Sequence, residues 1–531
     1  MPTLRTPVIL VTCLALSLPV TAAVASAAET APAEPTATTT TTVSATDSLD
    51  WGRCRNRALS LSGARCATLR VPMDRTDPSG PTVSLALSRI RHTSSEADYR
   101  GVMLLNPGGP GGAGLTMSLV NESLPSRVSR RYDWIGFDPR GVGASRPRVT
   151  CDSDYFGFDR PNYFPRPQRI LDKWLRRSEN YADDCRRNGA ILDHIRTTDS
   201  VADMESIRMA LGVETINYFG FSYGTYLGQV YATQHPERVD RMIFDSNVDP
   251  EGVFYQVNLD QDIAMQKVLN KWFSWIADKH NTYRLGKTRK AVTKRYLQIE
   301  NALDDKPAKG KVGPSEWTDI FNQVTYSESF WSPMASLFSN YARRKNGGAL
   351  VQAYKGTVGF GDDNGFAVYL AVQCTDAPWP TAWSTWSRDN WATYQKAPQV
   401  AWMNAWFNAP CRTWPASPGP RVDVDGTAVP PILLVSGTHD GATPFSGSLT
   451  VRRLFPRSAL VEIKGGATHA DSLGNSCTRN WITRYLSSGD LPTRKKGNRA
   501  DATCRSTSRP TSVSSSRHEF PKFIGPRQPR L

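Results

Sequence analysis

Five consecutive residues, Gly220-Phe221-Ser222-Tyr223-Gly224, constrain the fold more tightly than any other part of the chain. Before them, residues 216–221 form a short apolar run of strand character. After them, residues 222–234 have helical character and are closed by His235-Pro236, since proline disfavours helix in the residue before it. A strand that turns straight into a helix at a serine sets the hydroxyl on a sharp, exposed bend. The residues two before and two after must be small, because the backbone doubles back there. Serine is a weak nucleophile unless it is exposed, aligned and next to a base. Ser222 in this context is therefore the candidate nucleophile; the five-residue pattern without its flanks would carry little weight.

The surrounding chain repeats the same alternation of short apolar runs and amphipathic stretches. Strand candidates are 102–106, 132–138, 216–221, 241–245, 432–436 and 460–463, and most end in Gly, Asn, Asp or Ser. Between them, 199–211 reads as a helix entered through Thr198 or Asp199 and stopped by Gly212. This is the pattern of an α/β architecture built on a mostly parallel central sheet. It breaks at 251–425, where helical stretches such as 261–279 and 290–302 occur with eleven of the fifteen tryptophans. Strand character resumes near Ile432, so the segment reads as a largely helical cap inserted between two strands of one sheet. The alternative is an independent domain whose aromatics fill its own core.

A serine nucleophile needs a base and an acid later in the chain. Of seven histidines, His92 precedes the core strands and His194 and His280 fall in helical or loop stretches. His518 lies in a basic tail, and His235 ends the helix after Ser222. His439 and His469 remain, and His469 follows the 460–463 strand and a Gly465-Gly466 turn, as a loop-borne base should. Asp440 follows the 432–436 strand and is the candidate acid, with Asp245 as its rival at another strand end. Oxyanion donors come from backbone amides: Tyr223 at the start of the helix, and Gly108 or Gly109, with Gly109 favoured, after the first core strand. The run Gly109-Pro110-Gly111-Gly112-Ala113-Gly114 also satisfies a dinucleotide-binding pattern, but Pro110 is awkward in a phosphate-cradling turn and Ser222, Asp440 and His469 would be left without a role.

The ends and the cysteines address location. Residues 1–28 read as an export signal, with Arg5, an apolar stretch from Val8 to Val20 and a small-residue site at Ala25-Ser26-Ala27. Residues 29–48 are a Thr/Ala/Pro-rich linker or pro-segment. No later stretch is long and apolar enough to imply an integral membrane span. Cys13 lies in the signal; the other eight cysteines of an exported chain imply disulfides, in one of the many connectivities that eight allow. No CxxC or HExxH spacing points to a metal. The net charge of +15 is concentrated toward the end: residues 494–531 hold ten Lys or Arg against Asp501 and Glu519. Residues 505–531 read as a solvated basic tail attracted to a cell surface, which argues against specific nucleic-acid binding.

With these motifs in place, the sequence resembles the secreted bacterial tripeptidyl aminopeptidases, relatives of the prolyl iminopeptidases within the α/β-hydrolase fold. The resemblance runs from about Trp51 to Cys504. It is carried by Asn106-Pro107-Gly108-Gly109-Pro110-Gly111, Asp138-Pro139-Arg140-Gly141-Val142-Gly143-Ala144-Ser145, Thr197-Thr198-Asp199, the Ser222 turn, Gln373-Cys374-Thr375-Asp376, and the segments with Asp440 and His469. Pro107 stands where the iminopeptidases carry His, so single-proline specificity does not follow. The resemblance implies a cofactor-free, metal-independent serine exopeptidase, secreted, that acts on peptides with a free N-terminus and releases short pieces, tripeptides among them. An esterase or lipase with the same triad is the alternative. Such an exopeptidase needs an anion for the substrate ammonium. Asp376, inside the cap, is the candidate, the alternative being that it caps a turn or orders a disulfide-bearing loop. The expected divisions are 49–250 and 426–504 for the two parts of the core and 251–425 for the cap.

Overall fold

The structure, a computed structural model, describes residues 49–357 and 359–506. The expected export signal, the linker and all but the first two residues of the tail lie outside the described residues.

Ten strands form one sheet: β1 (Gly52–Arg53), β2 (Arg65–Pro72), β3 (Thr82–Ile90), β4 (Val102–Asn106), β5 (Asp133–Asp138), β6 (Ile216–Phe221), β7 (Val239–Asp245), β8 (Leu433–Gly437), β9 (Ala459–Lys464) and β10 (Ala502–Arg505). Their order is β1-β2-β3-β5-β4-β6-β7-β8-β9-β10. β1 to β3 pair antiparallel with one another, and β3 pairs antiparallel with β5; from β5 to β10 every pairing is parallel. β4, β5, β6 and β8 are buried along their whole length, which is why they read as unbroken apolar runs. β3 instead alternates, with Val83, Leu85 and Leu87 fully buried and Ser84 and Ala86 partly exposed.

Six helices bear on the site: α1 (Gln168–Cys185), α2 (Thr197–Ala210), α3 (Tyr223–Gln234), α4 (Tyr255–Asp278), α5 (Asn364–Asp376) and α6 (Ala401–Asn408). α4 to α6 belong to the long excursion between β7 and β8, two strands that lie side by side with Phe244 opposite Leu434. Part of this excursion has a core of its own, where Trp272, Trp317 and Trp331 pack with Phe321 and Phe338. Another part shares the main core: Trp379 and Trp386 join the cluster that holds Phe244 and Leu434. Trp406 stacks on Trp174 of α1, with ring centroids 5.6 Å apart. Part of the segment thus packs on itself and part on the core of the sheet.

The eight cysteines pair in sequence order: Cys54–Cys66, Cys151–Cys185, Cys374–Cys411 and Cys477–Cys504. Among the described residues no helix is long and apolar enough to cross a membrane.

Candidate active site

Ser222 sits between the end of β6 and the start of α3 at φ 56°, ψ −126°, a backbone state that costs a residue with a Cβ of order 1–3 kcal/mol. Hydrogen bonds hold it there. Its N–H donates to the Asp245 carbonyl (3.0 Å), and its own carbonyl accepts from the N–H (2.8 Å) and hydroxyl (2.7 Å) of Thr225. The flanking glycines are required by contact. A Cβ on Gly220 would lie 2.3 Å from the Gly224 carbonyl oxygen, and one on Gly224 would lie 2.6 Å from that of Asn106.

Asp440 and His469 follow β8 and β9. The His469 Nδ1 lies 2.9 and 3.0 Å from the two Asp440 oxygens. Asp440 Oδ1 also accepts from the N–H groups of Ala442 (2.9 Å) and Thr443 (3.0 Å). Burial pushes the Asp440 carboxyl up, but the His469 charge, its hydrogen bond and the Thr443 N–H outweigh it and hold the group below the usual carboxylate range. Burial likewise pulls the His469 imidazole down. The facing Asp440 outweighs this, Asp245 adds to it, and the imidazole ends above its ordinary value. An imidazole donating through Nδ1 keeps Nε2 as its basic nitrogen, the form that can take a proton from a hydroxyl.

The rival acid has a different place. Asp245 Oδ2 accepts from the backbone N–H of Ser472 (2.9 Å), and burial pushes its carboxyl up to about 6. Next to it, the Ser246 hydroxyl accepts from the N–H of Ala470 (2.8 Å). The end of β7 thus binds the serine turn through the Asp245 carbonyl and the histidine loop through the side chains of Asp245 and Ser246.

The glycine loop after β4 lies against the serine turn. Gly108 has φ 96°, and a Cβ there would meet the Phe221 carbonyl oxygen at 2.4 Å and Ser222 Cβ at 2.9 Å. The Gly108 N–H is already donated to Asn106 Oδ1 (2.9 Å), which leaves Gly109 as the loop's candidate donor. Tyr223 opens α3, so its N–H has no acceptor within the helix. The loop runs on into a 3₁₀ stretch, Leu115–Ser123, and not into the α-helix that a dinucleotide-binding turn would begin.

Asp376 ends α5 and is buried, beyond the Cys374–Cys411 disulfide. Its Oδ1 accepts from the Thr197 N–H (2.7 Å) and its Oδ2 from the Thr197 hydroxyl (2.5 Å). Thr197 Oγ1 in turn lies 2.7 Å from the Tyr223 hydroxyl. Both oxygens of Asp376 thus engage the first residue of α2, as in the capping use weighed as its alternative. Burial pushes this carboxyl up to about 7.

Three contributors were not picked out from sequence. Asn106 fixes the glycine loop, and its position at a strand end before Gly108-Gly109 is a signal that could have been used. Ser246 anchors the histidine loop. Tyr326, from the inserted segment, accepts the His469 N–H at its carbonyl (2.8 Å) and sets its ring edge-on to the imidazole, centroids 6.0 Å apart; nothing local marks it.

Residues 101–473 match the model of a family described as the alpha/beta hydrolase fold. The chain is 38% identical over 476 residues to a tripeptidyl aminopeptidase of Streptomyces lividans, covering 87% of each chain. It is 29% identical over 474 residues to the serine protease Hip1 of Mycobacterium tuberculosis (84% of this chain, 89% of the relative). It is also 29% identical over 470 residues to a protein of that organism named carboxylesterase B (83% and 88%).

Proposed function

Because the chain belongs to the α/β-hydrolase fold family, and within it to the tripeptidyl aminopeptidases, a family of serine hydrolases acting as aminopeptidases, we propose that it releases short peptides, tripeptides foremost, from free N-termini through an acyl-enzyme on Ser222. His469 takes the Ser222 proton and returns it to the leaving amine. Asp440 holds the imidazole tautomer and stabilises its cation, and the amides of Tyr223 and Gly109 receive the oxyanion. The observation that carries this reading is the 2.9 Å contact of His469 Nδ1 with Asp440, on a loop hydrogen-bonded to the same strand end that holds the Ser222 turn. Its test is Ser222→Ala: peptide hydrolysis falls by about six orders of magnitude in a folded protein, and near-normal turnover would overturn the assignment.

The relative named carboxylesterase B favours a second reading, an esterase with the same triad. N-terminally free and N-acetylated peptide anilides offered beside short acyl esters separate the two. A preference for esters, or indifference to acetylation, removes the aminopeptidase reading.

Export is part of the proposal. Four disulfides support an oxidising compartment, and residues 1–28 have the composition of a secretory signal. The basic tail would add a salt-sensitive attraction to an acidic cell surface.

A further inference from the structure

Tyr223 has a backbone end and a side-chain end, and the two face different parts of the molecule. Its N–H opens α3 beside the glycine loop: a Cβ on Gly108 would lie 3.0 Å from the Tyr223 nitrogen. Its ring is buried, with the rings of Tyr226 and Phe254 at centroid distances of 6.3 and 6.4 Å, and its hydroxyl lies 2.7 Å from Thr197 Oγ1. A carboxylate can only accept, so Thr197 donates its hydroxyl proton to Asp376 Oδ2 and its oxygen is left to accept from Tyr223. The three side chains form one directed chain, Tyr223 to Thr197 to Asp376, and each of them is buried.

The acidic end of this chain is anchored. Asp376 also accepts the Thr197 N–H at 2.7 Å, Cys374 two residues before it is bridged to Cys411, and the Thr375 carbonyl accepts the Gly419 N–H at 2.7 Å. The opposite end of α5 abuts the glycine loop that carries Gly109, since a Cβ on Gly111 would meet the Gly365 carbonyl oxygen at 2.3 Å. Capping α2 would need only the Thr197 N–H; the hydroxyl link onward to Tyr223 is surplus to that task. An oxyanion donor is effective when it is held in place before charge develops, so that no reorientation accompanies the step.

We infer that Asp376 and Thr197 are positioning residues of the reaction: through the Tyr223 hydroxyl they fix the direction of the Tyr223 N–H toward the oxyanion. This rests on the acyl-enzyme reading of Ser222, and holds whether the acyl group comes from a peptide or an ester.

The test removes single hydroxyls. Tyr223→Phe and Thr197→Val both keep the backbone amide of residue 223, and Thr197→Val keeps the N–H that Asp376 accepts. The assays are run at pH 8, above the value of about 7 to which burial raises Asp376. Each variant should lower kcat for a tripeptide p-nitroanilide about tenfold, with KM within about twofold of wild type. The inhibition constant of a tripeptide aldehyde, whose hemiacetal oxygen occupies the oxyanion position, should rise by the same factor, while that of a free tripeptide stays unchanged. The double variant should be no slower than either single one, because each breaks the same chain. Thr197→Ser, which keeps the hydroxyl, should recover most of the activity. Where Thr197→Val does not accumulate, Tyr223→Phe and the aldehyde carry the test by themselves. Wild-type kcat in Tyr223→Phe, a change confined to KM, losses that multiply in the double variant, or no recovery in Thr197→Ser overturns this inference alone. A wild-type Ser222 that no fluorophosphonate labels overturns it together with the acyl-enzyme reading beneath it.

Discussion

The hydroxyl of Ser246 accepts the backbone N–H of Ala470 at 2.8 Å, one residue after His469. Asp245, immediately before Ser246, accepts the Ser222 N–H at its carbonyl and the Ser472 N–H at its carboxylate. Two segments nearly 250 residues apart are therefore registered to the same dipeptide, and Asp245 serves as a strut.

Asp245→Asn follows from this. Asp440 bonds the His469 Nδ1, so kcat of the Asn variant stays within about tenfold of wild type. Stability changes in a pH-dependent way. A carboxyl raised to about 6 in the fold contributes stability that is full below its unfolded value near 4 and is lost as pH rises through 6. Melting midpoints across pH 4–8 should show the variant gaining on wild type as the pH is raised.

Asp440→Asn should behave quite differently. Loss of the partner at Nδ1 predicts a fall in kcat of about 10⁴. In wild type kcat/KM should rise with pH through a midpoint above the ordinary imidazole value of about 6.5, because only neutral His469 accepts a proton. Without Asp440 the lowering by burial is opposed only by Asp245, and the midpoint moves down. In stability the two groups act at opposite ends. The depressed Asp440 contributes above its unfolded value and loses this as pH falls through its folded one. The raised His469 contributes below its unfolded value and loses this as pH rises through its folded one.

Gly108→Ala tests the contact between the glycine loop and the serine turn. The new methyl would meet the Phe221 carbonyl and Ser222 Cβ at distances that force one segment away. Displacing one oxyanion donor predicts a loss in kcat of about 10²–10³, with slower fluorophosphonate labelling and retained secondary structure by circular dichroism.

Asp203→Ala probes a site remote from the chemistry. Arg140, fully buried after β5, donates to both oxygens of Asp203 at 2.8 and 2.6 Å and to the His194 carbonyl at 2.6 Å. Removing the carboxylate leaves the buried guanidinium with only the more distant Asp199, at 4.0 Å, as counter-ion, at a cost of about 3 kcal/mol in urea unfolding. The folded fraction should retain its kcat.

The sequence was most legible where structure is local. The buried parallel strands announce themselves as apolar runs, and four of the six readings differ from the observed strands by only one or two residues at an end, while β4 and β6 agree outright. The antiparallel edge does not stand out as an apolar run, because Val83, Leu85 and Leu87 alternate with smaller or more exposed neighbours, the period-two pattern of a half-buried strand. β10 is four residues long and starts just after Asp501, inside a stretch that composition marks as basic. Asp376 was placed by its motif, but its partner Thr197 lies 179 residues earlier, and nothing near either residue reveals the contact. Tyr326 has no local mark either, since its contact with His469 arises only when the insert folds onto the sheet.

The excursion that carries α4, α5 and α6 departs after β7 and returns at its immediate neighbour β8. The segment can therefore grow or shrink without disturbing the order of the strands, but it is no detachable cassette: the Tyr326 carbonyl holds the His469 N–H, and Trp379 and Trp386 are shared with the main core, so any change in its packing is transmitted to the base.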